Sequence, residues 1–109
     1  MFEVFKSPKT GKFHFRLKAK NGEIILSGQA YKDKAGCLNG IESVKKNAQV
    51  EDRFEVKEAS NGKKYFTLKS TNGQIVGTSQ QYKSDSGLKN GLASVAKNAA
   101  AGEVKEVES

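Results

Sequence analysis

The chain says the same thing twice. Asn21-Gly22 returns 51 residues later as Asn72-Gly73, and around that anchor Gly11–Ala48 aligns with Gly62–Ala99 without a gap. About half of the aligned positions are identical, and others are conservative exchanges such as Ile25 for Val76 and Ile41 for Leu92. A period of this length means one supersecondary unit used twice. With 109 residues in all, half the chain would bury little surface by itself. Two units, 1–51 and 52–109, are therefore expected to share one core in a single domain, 1–109.

Each unit opens on a short alternating run, Phe2-Glu3-Val4-Phe5 or Phe54-Glu55-Val56, which reads as a strand. After a turn, Phe13-His14-Phe15-Arg16-Leu17-Lys18 is matched by Tyr65-Phe66-Thr67-Leu68-Lys69. This alternation predicts a strand with one buried face. Phe15, Leu17, Phe66 and Leu68 are expected in the core. His14, Arg16, Lys18, Tyr65, Thr67 and Lys69 are expected on the opposite face. Asn-Gly predicts a type I′ hairpin, because both central residues of that turn need positive φ. Its register places Ile24 and Leu26 on the core face, with Ile25 and Val76 on the other.

Past Tyr31 and Tyr82 the spacing changes. Cys37, Ile41, Val44 and Ala48 recur at helical intervals, and Leu88, Leu92, Val95 and Ala99 repeat the stripe. Asp33 and Ser84 stand where an N-cap belongs. Asn47 and Asn98 stand near the helix end, where Asn tolerates the left-handed conformation. Four interior glycines (Gly36, Gly40, Gly87, Gly91) each weaken a helix by about 0.5–1 kcal/mol relative to Ala. Either the helix lies close on the sheet at those points, or it begins only near Asn39 and Asn90. The longer helix is preferred. Glu103-Val104-Lys105-Glu106-Val107 reads as a last strand, although its spacing also fits a helical turn. The order β-β-β-α-β-β-β-α-β is an α+β arrangement with a mostly antiparallel sheet.

Phe15-Arg16-Leu17-Lys18, then Asn21-Gly22-Glu23-Ile24-Ile25, Tyr31-Lys32, Gly40-Ile41 and Ser43-Val44-Lys45-Lys46-Asn47-Ala48 together resemble the YegP-like family of small bacterial proteins of uncharacterised function. The resemblance covers nearly the whole chain, in two copies. It implies tandem β-β-β-α-β repeats sharing one sheet, helices packed on one face, and C-terminal strands exchanged between units. The chain would then be a pseudo-dimer within one molecule and a monomer overall. The family supplies no catalytic or binding residues to carry over. The second copy departs from the first at Gly77 (Leu26), Lys64 (Phe13) and Leu88 (Cys37), which places the two halves against different neighbours.

The composition bounds function more than it reveals it. No apolar run approaches the roughly 18 residues that span a membrane, and the first residues lack the regions of a signal peptide. One cysteine permits no internal disulfide and suits a reducing compartment, so the expected location is the cytoplasm. Net charge is +7, with 10 Lys/Arg against 4 Asp/Glu in residues 1–50 and 9 against 8 in the rest. A basic balance favours polyanion partners and equally keeps a small domain soluble.

One His and one Cys on different elements match no metal spacing, and no cofactor motif is present. Cys37 reads as a buried structural thiol. His14 has no companion nucleophile and is replaced by Tyr65 in the other copy, so it reads as a strand residue. The expected function is that of a non-enzymatic binding or structural module. The alternative is a weak binder of single-stranded nucleic acid or another polyanion on the sheet face bearing His14, Arg16, Lys18, Tyr65, Thr67 and Lys69, where cations stand beside rings. An enzyme is the remaining reading. The polar residues kept in both copies, Gln29/Gln80, Tyr31/Tyr82, Lys32/Lys83, Asn39/Asn90, Ser43/Ser94 and Asn47/Asn98, serve either capping and turns or a pair of symmetric ligand grooves.

Overall fold

The two alternating runs and the helical stripe of each unit fold as their spacing predicts. In the computed structural model, which describes residues 1–107, they form β1 (Phe2–Lys6), β2 (Phe13–Lys18), β3 (Ile24–Ser27), α1 (Lys34–Asn47), β4 (Phe54–Glu58), β5 (Lys64–Lys69), β6 (Ile75–Thr78), α2 (Asp85–Ala101) and β7 (Val104–Glu106). A 3-10 turn, Glu51–Arg53, leads into β4. All seven strands join one sheet in the order β4-β5-β6-β3-β2-β1-β7. The pairings are antiparallel except that β7 runs parallel to β1. Both helices cover one face, α1 against β2, β5 and β6, and α2 against β2, β3 and β5.

The units meet where β3 pairs with β6, and the residues paired there are Ser27 and Thr78. These are equivalent residues of the two copies. A residue paired with its own counterpart places a pseudo-twofold axis through that bridge, perpendicular to the sheet. The expected exchange of final strands is one-sided: α2 returns the chain as β7 beside β1 of the first unit, whereas α1 leads straight into β4, the opening strand of the second unit beside β5. The core is common to both units. Phe2, Phe15, Leu17, Leu26, Ile41 and Val44 from the first are buried in one cluster with Phe66, Leu68 and Val95 from the second.

Three local expectations are corrected. First, the Asn-Gly hairpins are not type I′. Within these two turns only Gly22 and Gly73 have positive φ, 84° and 85°, and no non-glycine residue does among the described residues. Gly22 N–H donates to Ala19 O and Ala19 N–H to Glu23 O, a turn followed by a left-handed glycine. A bulge then follows, since Leu17 pairs with Leu26 but Lys18 with Ile24. The extra residue is Ile25, and a bulge lets successive side chains share a side. Ile25 and Leu26 are therefore both buried, at 4% and 0% exposure, while Ile24 is left 39% exposed. The second hairpin repeats the irregularity, and Val76 is buried as well.

Second, Asn47 and Asn98 are not left-handed caps. Each lies within its helix and donates from Nδ2 to the carbonyl one turn back, Ser43 O and Ser94 O, at 2.8 Å in both cases. The second helix runs on to Ala101 and is ended by Gly102 at φ 69°. Third, two of the helical glycines, Gly40 and Gly91, make room first of all for a tyrosine that lies between helix and sheet. A Cβ on Gly40 would meet the Tyr31 hydroxyl, and one on Gly91 the Tyr82 hydroxyl. The longer helices do form, and the N-caps are as expected. Asp33 accepts from Gly36 N–H at 2.7 Å and Ser84 from Gly87 N–H at 3.0 Å.

Candidate functional site

Alternation along β2 and β5 puts all six candidate residues on the sheet face away from the helices, but not in one cluster. His14, Arg16 and Lys18 lie on β2, Tyr65, Thr67 and Lys69 on β5, and β3 and β6 stand between them. At about 4.8 Å per strand the two trios are roughly 14 Å apart. They are counterparts across the pseudo-twofold, separated by the small side chains of Ser27 and Thr78. Thr67 is not available as a surface group. It is 3% exposed, and its hydroxyl has no hydrogen-bond partner.

The cations of this face are answered by carboxylates from the flanking strands. Register places Glu3 opposite Arg16 and Glu55 opposite Thr67. Glu3 Oε1 accepts from Arg16 Nε at 2.8 Å and stands 3.2 Å from Lys18 Nζ. Glu55 is bound by Lys69 and lies 3.8 Å from Lys57. The Arg16 guanidinium sits 4.8 Å from the centroid of the Phe5 ring, which stacks on His14 at 5.5 Å. Sequence reasoning named the cations and missed Glu3, Glu55 and Phe5. Their own alternation was a usable signal, because each is the polar or outward member of its strand.

Glu3 makes the acid stability of the fold predictable in sign. The Arg16 hydrogen bond holds its carboxyl below the ordinary carboxylate value, against the opposing effect of burial. The unfolded chain therefore takes up this proton at higher pH than the folded one. The stabilisation is complete above the ordinary carboxylate range and is lost as pH falls through the lower folded value. Glu3→Gln is expected to remove this part of the acid limb of a stability-versus-pH curve and leave the variant less stable near neutrality. An unchanged limb would place Glu3 outside the linkage.

Cys37, the one thiol of the sequence, is shielded. It is fully buried on α1, and burial pushes its thiol up to about 11. A reagent that needs the thiolate should label it at least ~100-fold more slowly than a free cysteine at the same pH. Labelling at the free-thiol rate in the native state would show that α1 opens readily. Among the described residues, no group of three or more His, Cys, Asp or Glu side chains could hold a metal ion.

Two further concavities lie on the helix side, where each helix faces the hairpin of the other unit. The larger, an open groove of about 810 Å³, is lined by Gln29, Tyr31, Asn39 and Ser43 of the first unit and by residues 70–76 of the second. Among the described residues no charged side chain lines it, in a chain that is 28% charged. Gln29 Nε2 donates across the cleft to Ile75 O at 3.3 Å. Its pseudo-symmetric partner, about 400 Å³, is formed by residues 19–21 and by Asn90, Ser94, Lys97 and Asn98 of α2. Here the chemistry differs, with Lys20 and Lys97 on the walls and Gln80 bonded to Glu23. Asn39 and Asn90 are equivalent residues, each on the wall of its cleft, and the side chain of neither makes a hydrogen bond among the described residues. Burial raises the Tyr31 and Tyr82 hydroxyls above their ordinary pKa. The polar side chains facing the larger cleft are thus uncharged amides and hydroxyls, beside the apolar Ile75 and Val76.

The chain matches the family described as a domain of unknown function (DUF1508) twice, over residues 9–55 and 59–106. It is 50% identical over 106 residues to the "UPF0339 protein in ptx operon 5′ region" of Stutzerimonas stutzeri, covering 97% of this chain and 95% of that one. The solution NMR structure of the protein of unknown function yegP from E. coli superimposes with a TM-score of 0.91 at 45% identity, covering 98% of this chain and 91% of that chain. The solution NMR structure of a UPF0339 protein from Shewanella oneidensis does so with a TM-score of 0.90 at 44% identity, covering 98% and 90%. None of these descriptions names an activity, a ligand or a partner.

Proposed function

The chain belongs to the DUF1508, YegP-like family, and on that footing we propose that it is a non-enzymatic binding module of the bacterial cytoplasm. It works as a monomer, and its principal site is the cleft between α1 and the hairpin of the second unit. The observation that carries this reading is a concavity whose lining is uncharged among the described residues, with Asn39 on its wall as an exposed amide that makes no protein hydrogen bond there. Its volume lies in the range of small-molecule sites. The chemistry suits a neutral polar ligand bearing amide or hydroxyl groups, which amides and hydroxyls satisfy without a desolvated charge. The second cleft repeats the plan with two lysines and takes a different, more anionic ligand.

Amide NMR titration with a panel of neutral amides and polyols tests the reading. Saturable shifts confined to residues 29–43 and 70–76, weakened in Asn39→Ala, are expected. Shifts elsewhere, or an Asn39→Ala variant that binds equally well, would remove the cleft from consideration.

A second reading rests on the Arg16–Phe5–His14 stack. A cation and two flat rings on a bare sheet face can hold single-stranded nucleic acid, with Lys18, Tyr65 and Lys69 extending the path. Glu3 and Glu55 already occupy the nearest cations, so this binding is weak. Arg16→Glu with Lys18→Glu should abolish it without unfolding the domain; retained affinity for short single-stranded RNA or DNA at near-physiological salt would end that reading.

A further inference from the structure

The pseudo-twofold is broken at one edge of the sheet. Outside β1 lies β7, whereas no strand lies outside β4, the counterpart of β1, among the described residues. The same residue types occupy the same register on both. Phe2 and Val4 pair with Leu17 and Phe15, Phe54 and Val56 with Leu68 and Phe66. Their burial differs sharply. Phe2 and Val4 are 0% and 2% exposed, Phe54 is only partly buried, and Val56 is 48% exposed. What differs is the cover. At β1 it is β7, tied by Phe2 N–H to Glu103 O at 2.7 Å and by Val107 N–H to Val4 O at 2.9 Å. From α1, Lys45 also lies over the Phe2 ring. The equivalent of Lys45 on α2 is Ala96, which leaves a groove of about 790 Å³ along β4.

We propose that this groove and the edge of β4 form a docking site for an extended basic segment of a partner protein, added as a parallel strand. The occupied edge shows the kind of occupant that fits: a short alternating strand whose main chain supplies the bonds. The charges show whose strand it is. At the occupied edge Glu106 of β7 is paired with Lys34 on α1. The α2 residue equivalent to Lys34 is Asp85, already paired with Lys64 at 2.9 Å, so the charge left to receive a strand is that of Glu51 and Asp52, which rim the groove with Lys89 as its cation. An incoming strand therefore carries Lys or Arg where β7 carries glutamate. That separates a partner segment from the β7 of a second copy, whose Glu103 and Glu106 would meet like charge. Phe54 N–H is already bonded to Glu51 O in the 3-10 turn, so main-chain pairing starts beyond it, toward Val56.

The test uses two synthetic peptides on the intact chain: one with the sequence of residues 102–107, Gly-Glu-Val-Lys-Glu-Val, and one with both glutamates changed to lysine. The basic peptide is expected to give saturable amide shifts at residues 54–58 and 89–96, with at least tenfold higher affinity than the acidic one. A spin label on its N-terminus should broaden amides near Phe54 before those near Glu58. Val56→Arg, at a half-exposed position, should keep the fold and lose the shifts. Four outcomes overturn the proposal: no shifts at β4, shifts scattered over acidic residues and unchanged in Val56→Arg, an antiparallel broadening pattern, or tighter binding of the acidic peptide. The last would instead make a second copy the occupant.

Discussion

Phe66→Ala is expected to destabilise the fold by about 3–5 kcal/mol. The side chain is fully buried, so truncation removes its transfer free energy and leaves a cavity. Its ring meets Phe54 edge-on at 5.4 Å and stacks on Tyr82 at 6.2 Å, and such ring pairs contribute beyond their buried area. Tyr82 fills the space kept open by Gly91, so the loss loosens the contact between β5 and α2. A small domain has about 5–15 kcal/mol in total, and the melting temperature should fall by roughly 12 °C or more. A shift no larger than that of an exposed-loop variant such as Lys9→Ala would contradict the placement of Phe66 at the centre of the core.

The second large effect lies at the pseudo-twofold axis. Leu26 and Gly77 are equivalent residues. A Cβ built on Gly77 would stand 2.6 Å from Leu26 Cδ2, and Leu26 is fully buried. Two leucines cannot occupy these positions, because the axis brings the equivalent sites together and one side chain fills the space of both. Gly77→Leu should cost about 1–3 kcal/mol by overpacking. Leu26→Gly should cost about 2–5 kcal/mol through the cavity it leaves. The chain carrying both changes moves the leucine to the other side of the axis. It should recover part of the loss, with a coupling of about 0.5–3 kcal/mol between the two sites. Urea unfolding of the four chains measures this, and strictly additive costs would mean that the side chains do not compete.

The periodicities that make strands and helices were legible, because core formation obeys them. Phe15, Leu17, Phe66, Leu68 and the Cys37–Ala48 stripe are buried where alternation and helical spacing put them. The failures have local causes. A bulge adds one residue to a strand without any mark in the alternation, so Ile24 and Ile25 exchanged places. Asn47 prefers a hydrogen bond to the preceding turn over the left-handed conformation. The outward face was visible from β2 and β5, but its electrostatics depend on Glu3 and Glu55 arriving from neighbouring strands. The two trios are kept apart by a sheet order that no single unit encodes. The polar residues repeated in both units were recognisable as candidates. That each helix faces the other unit's hairpin follows only from the pseudo-twofold.

Two units that are halves of one domain rather than neighbours should unfold together. Urea unfolding of the Phe66→Ala chain, followed residue by residue through amide NMR, tests that most directly. The shared core predicts that amides of β2 in the first unit and β5 in the second are lost at one midpoint, lowered equally from the unsubstituted chain. A first unit that keeps its original midpoint while the second unfolds early would contradict it.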